Sequence, residues 1–216
     1  GSTCDAFHVT APLENGEGLY PAMLEAIEHA ESRVLLASYI FDNDTTGRRF
    51  VAALARARQR GVRVRVLLDG LGEYMRLPRI GPYLRREGIR FARFNPLTLI
   101  PPALNINMRN HRKLLIVDGR WAFTAGQNIG NRHLTSDATN PHRVHDIHFR
   151  LSGKIVDELE WSFWQDWQYA TGRRERTSFQ GQNQTREEAH TWSRVILDGP
   201  NKDLDKLNHL IIGVIS

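Results

Sequence analysis

The chain has 216 residues, 41% of them hydrophobic, and a formal net charge of +5 at pH 7. This length and composition allow a full-sized core and exclude an intrinsically disordered protein. No apolar run reaches the roughly 18 residues that a membrane-spanning helix needs, so a span within these residues is excluded. The one cysteine, Cys4, cannot form an intramolecular disulfide, which fits a reducing compartment. The opening Gly1-Ser2 is typical of an expression scar, so we expect the native start to lie elsewhere.

The positive charge is concentrated in one stretch. Between Arg48 and Arg93 there are thirteen arginines, against only Asp69, Glu73 and Glu87. The stretch consists either of solvated helix faces and strand edges or of a patch that attracts anionic phosphates. The planar guanidinium of arginine matches the geometry of a phosphate group, but this property does not distinguish a lipid from a nucleic-acid substrate.

Helical and strand patterns alternate along the first part of the chain. The pattern predicts helices over Leu19–Ala30, Phe50–Ala57 and Tyr83–Arg86, and strands over Val34–Phe41, Val62–Leu68 and Ile89–Phe94. Gly61 is placed to end the second helix. Because a helix between two strands implies a right-handed parallel crossover, we expect an α/β fold. Its mixed, largely parallel β-sheet should be sandwiched between helices.

The next part of the chain begins with a predicted hairpin. Strands over His111–Val117 and Trp121–Ala125 are joined through the turn signal Asp118-Gly119. A further strand over Val144–Leu151 and a helix over Ile155–Tyr169 follow. The large apolar side chains of that helix are more typical of a core than of a binding face.

A polar stretch from Gly172 to Thr191 reads as a linker or long loop, and a new strand, Ser193–Leu197, and an amphipathic helix follow it. We therefore expect a first domain over residues 3–170, a linker or loop over 171–192, and the start of a second, truncated domain over 193–216.

The segment most specific for chemistry contains His111, Lys113 and the loop Gly126-Gln127-Asn128. Side chains alternate along a strand, so His111 and Lys113 should face one side and Arg112 the other. The loop after the hairpin can return to the first strand and offer Asn128 as a hydrogen-bond donor. A cation, an amide and an imidazole on one wall suit a phosphoryl group.

Phosphodiester transfer needs a nucleophile, stabilisation of the phosphoryl oxygens and protonation of the leaving alkoxide. One histidine cannot easily serve as both nucleophile and acid. If His111 attacks phosphorus, the acid comes most simply from a second copy of the motif across a twofold or pseudo-twofold interface. Lys113 is suited to electrostatic stabilisation. Asp118, the last residue of the motif, is assigned to fixing the hairpin turn.

His111, Lys113 and Asp118 at this spacing, followed by Gly126-x-Asn128, resemble the signature of the phospholipase D superfamily. The surrounding phrases from Gly18 to Trp167 resemble its cardiolipin synthase branch, and Ile196-Leu-Asp-Gly-Pro200 resembles the start of that branch's second half. The chain is thus similar to the N-terminal half of such an enzyme.

The resemblance implies a metal-independent site, without a cofactor, that two such motifs assemble. One histidine forms a phosphohistidine and the other protonates the leaving group, so His111 is nucleophile or acid. Lys113 and Asn128 would bind phosphoryl oxygens, and Asp146 matches the acidic residue that orients the motif histidine. Gly126, Gln127 and His145 are candidate substrate contacts. Ala125 stands where the branch usually has glycine, and His145 where it usually has arginine.

A rival interpretation makes His142, His145 and His148, with Asp146, a metal cluster. The odd separation of His145 and His148 sends them to opposite faces of a strand, which disfavours this interpretation. His133 and His190 have no partner at ligand spacing and are interpreted as surface histidines.

The substrate could be lipid or nucleic acid, since the same residues would serve any phosphodiester. The apolar segment Pro96–Ile106 leads into His111 and could line an acyl channel, dip into a membrane surface or form a buried connection. The sequence shows no evident base-stacking platform of the kind that single-strand binders use, and together with the resemblance to the cardiolipin synthase branch this favours lipid over nucleic acid.

Our leading hypothesis is a phosphatidyl transferase that acts on anionic phospholipid at a membrane surface. By resemblance it is peripheral at the cytoplasmic side of a bacterial inner membrane, and it pairs with a second half in the same chain or with a homodimer partner. The alternatives are a phosphodiesterase or nuclease of the same superfamily and a catalytically incomplete dimerisation module.

Overall fold

The computed structural model describes residues 5–9, 12–96, 110–136, 141, 143–175 and 191–193. Its strands are β1 (Asp5–Val9), β2 (Leu13–Glu14), β3 (Arg33–Ser38), β4 (Arg63–Asp69), β5 (Phe91–Phe94), β6 (Leu114–Val117), β7 (Trp121–Ala125), β8 (Ile147–Gly153) and β9 (Thr191–Ser193). Its helices are α1 (Asn15–Glu28), α2 (Thr45–Gln59), α3 (Gly70–Tyr74), α4 (Gly81–Arg86) and α5 (Lys154–Thr171), with a 3-10 turn at Asn131–His133.

The described strands form one mixed sheet, in the order β5-β4-β3-β6-β7-β8-β1-β9, with β2 paired to β8. β3 pairs with β4, and β4 with β5, in parallel, as the helical crossovers predict. The other pairs in this part of the chain are antiparallel. The predicted α/β class is confirmed. The parallel part is smaller than predicted, because after β5 the described strands join the sheet through antiparallel pairs, beginning with the β6–β7 hairpin.

Helices cover both faces of the sheet. In β3, Val34 and Leu36 belong to the core formed with α1 and α2, whereas Leu35 and Ala37 belong to the core formed with α5. Adjacent strand residues point to opposite faces, so a strand that is apolar throughout must be covered on both sides. β3 and β6, which are apolar and buried along nearly their whole length, are therefore covered by helices on both faces.

Two of the helices that cover the sheet, α2 and α5, have clear sequence signals. α2 begins after Asp44, whose carboxylate accepts a hydrogen bond from the Gly47 N–H at 2.9 Å. It ends before Gly61, which has φ +92° and takes the predicted role at the helix end. On α5, Trp164 and Trp167 are buried, which confirms the core interpretation, whereas Trp161 is 49% exposed.

The hairpin turn is confirmed at Asp118 and Gly119, where φ is +55° and +68°. Two strands begin later than predicted, β6 at Leu114 and β8 at Ile147. Just before each strand, backbone N–H groups donate to side chains or to a loop carbonyl instead of to a neighbouring strand, as described below. The prediction that began the first strand at His111 was therefore wrong by three residues.

Several predictions fall outside the described residues. They concern the end of the polar stretch, the helix from Asp203, His142, His190 and the segment after Pro96. Of the strand predicted from Ser193, only that residue is described, as the last residue of β9, which pairs antiparallel with β1. Within the described residues, no helix is long and apolar enough to cross a membrane.

Candidate active site

His111 and Lys113 lie just before β6 and meet at the ring of Tyr39, which follows β3. The His111 imidazole stacks on that ring with centroids 4.5 Å apart and an interplanar angle of 17°. The Lys113 Nζ lies 5.4 Å from the centroid of the same ring. The two side chains are therefore on one side, as predicted, although they precede the strand. His111 is exposed, so its imidazole is accessible to a substrate.

Lys113 folds back on its own segment, where its Nζ donates to the His111 carbonyl at 2.6 Å. Burial lowers the pKa of the ammonium, and the negative charge of Asp146 opposes that change. The cation is thus partly desolvated and depends on a neighbouring carboxylate. A desolvated cation interacts more strongly with a phosphoryl oxygen than one in water does.

Asn110, directly before His111, is fixed through both its backbone and its side chain. Its N–H donates to Asp69 Oδ2 at 3.0 Å, and its Nδ2 donates to Asp166 Oδ2 at 2.9 Å. Its Oδ1 accepts from the Arg112 N–H at 3.1 Å. Asp69 and Asn110 are buried, at 0% and 7% exposed. The backbone on both sides of His111 is therefore tied to buried carboxylates or to the Asn110 amide.

Arg112 points away from Tyr39 toward α5, as the alternation predicts. Its Nη1 donates to the Ser162 carbonyl at 3.1 Å and to Asp166 Oδ2 at 2.5 Å. Burial raises the pKa of Asp166, whereas Arg112 and Asn110 act to lower it. Arg112 thus anchors the segment from the opposite side of the sheet.

The loop from Gly126 to Gly130 returns to the end of β3, next to Tyr39. Asn128 Oδ1 accepts from the Ile40 N–H at 3.0 Å, and the Asn128 carbonyl accepts from the Tyr20 hydroxyl at 2.8 Å. Because a backbone N–H can only donate, the contact with Ile40 assigns the amide oxygen and leaves Nδ2 as the donor end. This is the donor that the sequence predicts for Asn128.

Gln127 does not reach the surface of the site. Its side chain is 2% exposed, and its N–H donates to His148 Nδ1 at 3.3 Å. The loop thus turns the Gln127 side chain into the protein, and its expected contact with substrate stays a prediction. Its backbone instead links the loop to β8.

Gly126 allows Asp146 to approach the loop. A Cβ at Gly126 would lie 2.6 Å from both carboxylate oxygens of Asp146, which is closer than atoms can pack. Asp146 is held by Asn15, whose N–H donates to the Asp146 carbonyl at 2.8 Å and whose Oδ1 accepts from the Asp146 N–H at 3.1 Å. The Asp146 Oδ1 accepts a hydrogen bond from the Ile147 N–H at 2.8 Å.

The expected hydrogen bond from a ring nitrogen of His111 to the Asp146 carboxylate is not formed in the part of the chain that the structure describes. The Asp146 carboxylate accepts a hydrogen bond from the Ile147 N–H and lies near Gly126. Its negative charge opposes the lowering of the Lys113 pKa. His145 is exposed and lines a shallow cleft beside Asp146. His145 is therefore on the surface of the protein, next to Asp146.

Asp118 lies at the other end of β6 from Lys113. Its carboxylate accepts from the backbone N–H groups of Glu31, Ser32 and Arg33 at 2.7–2.9 Å. Burial acts to raise the pKa of Asp118, but hydrogen bonds from Arg33, Glu31 and Ser32 lower it overall. The carboxylate joins the hairpin turn to the start of β3, away from His111.

Two buried histidines near Asp146 have no clear signal in the sequence. His133 and His148 are 2% and 1% exposed, and burial lowers the pKa of each to about 4. Both are therefore neutral near pH 7. The interpretation of His133 as a surface histidine was wrong, because the 3-10 turn packs it inward. Within the described residues, no group of three or more histidine, cysteine or acidic side chains could hold a metal ion.

Comparison with solved structures gives the class of fold. Nuc from Salmonella typhimurium, a phospholipase D family member, superposes with a TM-score of 0.55 at 18% identity, over 79% of this chain and 99% of that chain. The chain therefore has the fold of a phospholipase D family member.

The sequence comparisons give the family. The family model described as cardiolipin synthase, PLD-like domain, matches residues 23–167, so the chain belongs to this family. A cardiolipin synthase of Geobacillus kaustophilus is 31% identical over 96% of this chain and 41% of the relative. Cardiolipin synthase B of Escherichia coli is 37% identical over 68% of this chain and 35% of the relative. The chain thus spans about two fifths of the length of the first of these relatives.

Proposed function

We propose that this chain supplies one half of a phosphatidyl transferase site that acts on phospholipid phosphodiesters. The observation that carries the proposal is the accessible His111 imidazole stacked on Tyr39, with the Lys113 ammonium near the same ring. This places a nitrogen nucleophile or acid beside a cation that can stabilise phosphoryl oxygens.

The proposed reaction has two displacement steps. A ring nitrogen of one histidine attacks phosphorus, the P–N bond forms, the P–O bond to the leaving alkoxide breaks, and the second histidine protonates that alkoxide. The acceptor alcohol then attacks phosphorus, gives its proton to the second histidine, and breaks the P–N bond. His111 is one of these two histidines. Water competes with the alcohol as acceptor and yields hydrolysis.

The remaining residues have supporting roles in this proposal. Lys113 and the Asn128 Nδ2 bind the non-bridging oxygens, and exposed His145 contacts the phosphate from the side of the cleft. The negative charge of Asp146 opposes the lowering of the Lys113 pKa by burial. Asp118 holds the far end of β6, so its effect on the site is through the strand. The proposed site needs no metal or cofactor, because one histidine supplies the nucleophile and the other first donates a proton and then takes one up.

The second histidine comes from a second motif, either later in the same natural chain or in a second copy. The relatives' greater length favours the first arrangement. We propose that residues 3–170 form the first half, 171–192 connect the halves, and 193–216 begin the second. The substrate would be an anionic phospholipid, met at the cytoplasmic face of a bacterial inner membrane.

The test is covalent trapping with phospholipid labelled in the phosphatidyl group, on the full natural protein, this chain, and His111→Ala forms of both. Acid-labile, base-stable label on nitrogen that disappears in His111→Ala identifies the nucleophile. Label that persists in the full His111→Ala protein, with transfer lost, assigns His111 as the acid. No headgroup exchange on any anionic phospholipid, together with salt-sensitive cleavage of nucleic acid, would replace the proposal by a nuclease.

A further inference from the structure

A short surface loop stands beside the candidate active site and has an unusual composition. We define the apolar loop as Tyr74 to Arg79, the connection between α3 and α4. Its Tyr74, Met75 and Leu77 side chains are 54%, 67% and 82% exposed. Leu77 is the most exposed large hydrophobic residue in the described part of the chain.

The ends of the loop are held rigidly. At α3, Asp69 Oδ1 accepts from the Leu71 and Gly72 N–H groups at 2.9 and 3.0 Å. Beyond the loop, the Gly81 N–H donates to the buried Glu73 carboxylate at 3.0 Å, and Arg93 forms an ion pair with that carboxylate. With both ends of the loop fixed, the exposed side chains of Tyr74, Met75 and Leu77, the apolar tips of the loop, cannot easily fold back into the core.

The α3 helix that leads into the loop and His111 lie at the same edge of the sheet, because β3 and β4 are parallel and β6, which follows His111, begins beside the end of β3. α3 packs against the backbone of Tyr39, since a Cβ at Gly72 would meet the Tyr39 carbonyl oxygen at 1.8 Å. The ring of the same Tyr39 carries the stacked His111 imidazole. α3, which leads into the apolar loop, therefore packs against the residue on which the His111 imidazole stacks.

Arginines surround these tips. The Arg79 guanidinium lies 4.8 Å from the centroid of the Tyr74 ring, and Arg76 pairs with Asp42 at 3.4 Å. Exposed Arg48 is joined to Arg79 through Asn43, which accepts from Arg48 and donates to the Arg79 carbonyl. The Asp42 carboxylate offsets only part of the positive charge of these arginines.

We propose that the apolar loop inserts into the interface of an anionic lipid bilayer and seats the active site on it. Tyrosine and aliphatic side chains enter the headgroup region, while arginines contact lipid phosphates. A protruding loop suits a deformable lipid surface, whereas a protein partner would need a matching groove. The positive charge selects anionic lipid. This proposal rests on the lipid substrate of the proposed function, but it concerns binding and can be tested without turnover.

The experiment measures how this chain partitions onto vesicles of phosphatidylglycerol and of phosphatidylcholine. We expect salt-sensitive binding to phosphatidylglycerol, and a fall of about tenfold or more in the partition coefficient for Met75→Ser/Leu77→Ser. Arg79→Gln should reduce binding to anionic vesicles and change binding to phosphatidylcholine little. Trp161→Ser, an exposed apolar residue on α5, is the matched control and should bind as the parent does.

A fluorophore at Leu77→Cys, in a Cys4→Ser background, checks insertion directly. Its emission should shift to the blue with phosphatidylglycerol vesicles, whereas the same label at Trp161→Cys should not respond. Thermal unfolding of each variant verifies that it is folded.

The proposal is overturned if the parent chain does not bind anionic vesicles or if the double serine variant binds as well as the parent. It is also overturned if the variant loses self-association by light scattering and keeps vesicle binding, which would make a second copy the occupant. Normal insertion without any phosphatidyl transfer by the full protein would sink the proposed function and leave the loop's role intact.

Discussion

The Asn110 N–H donates to Asp69 Oδ2 at 3.0 Å across a sequence separation of 41 residues. The same carboxylate accepts from the Leu71 and Gly72 N–H groups through its other oxygen. One fully buried side chain thus joins the end of β4, the start of α3 and the residue before His111. Because a buried donor without an acceptor is costly, this carboxylate should contribute strongly to stability.

We expect Asp69→Ala to lower the free energy of unfolding by about 3 kcal/mol or more, since three N–H groups lose their acceptor, those of buried Gly72 and Asn110 and that of half-buried Leu71. Urea unfolding followed by circular dichroism measures the change. Glu158→Ala, at an exposed position on α5, should stay within about 0.5 kcal/mol of the parent. A loss below about 1 kcal/mol for Asp69→Ala would show that water replaces the carboxylate.

Asn110 should affect the rate of transfer more than substrate binding. In Asn110→Ala the backbone bond to Asp69 remains, but the contacts with Asp166 and the Arg112 N–H are lost. We expect kcat of the full protein to fall about a hundredfold with KM nearly unchanged, because small displacements of a reacting group are costly. The His111 ring resonances should broaden or shift even without turnover.

The coupling between Asn110 and Asp166 provides the control. Asp166→Ala should lower kcat in the same way, and the double variant should be little worse than either single variant. Fully additive losses would show that the two residues act separately and that no shared clamp positions His111.

Local patterns predict much of this fold and less of the site. The apolar runs of β3 and β4, the Asp118-Gly119 turn and the opposite directions of His111 and Arg112 all follow from neighbouring residues. The stacking of His111 on Tyr39 is not predicted, because it joins residues 72 positions apart and has no periodicity. The burial of His133 is missed for the same reason.

Expectations about hydrogen bonds were less successful than those about placement. The resemblance assigns Asp146 to His111, but the close approach allowed by Gly126 and the Ile147 N–H direct its carboxylate elsewhere. Spacing predicts which loop or strand a residue lies on to within a few residues. It does not decide which of several nearby donors a carboxylate accepts from.

Gly126→Ala should disturb the charge beside Lys113, since the added Cβ would meet both oxygens of Asp146. We expect a loss of about 1–3 kcal/mol in the free energy of unfolding, as for other overpacked sites. Displacing the carboxylate removes the interaction that opposes the lowered pKa of Lys113. That pKa should therefore fall further, and the alkaline limb of the activity profile should move to lower pH.

The matched test of that prediction is a double-mutant cycle. In an Asp146→Ala background the added methyl group meets no carboxylate, so Gly126→Ala should cost less stability and leave the alkaline limb where Asp146→Ala alone puts it. An equal cost in both backgrounds would mean that the loop backbone, and not Asp146, requires glycine at this position.

The buried pair His133 and His148 predicts how stability depends on pH. Burial lowers the pKa of each from 6.5 to about 4, so the folded protein binds fewer protons than the unfolded chain between these values. Their contribution is complete above about pH 6.5 and is lost progressively as the pH falls to about 4, with a total on the order of 3 kcal/mol per histidine.

His148→Asn retains an acceptor for the Gln127 N–H but cannot titrate, so its urea midpoint should fall less between about pH 7 and 5 than that of the parent. His145→Asn, at an exposed position, should follow the parent, and a His148→Asn curve as steep as the parent's would show that His148 is already protonated or solvated in the folded protein.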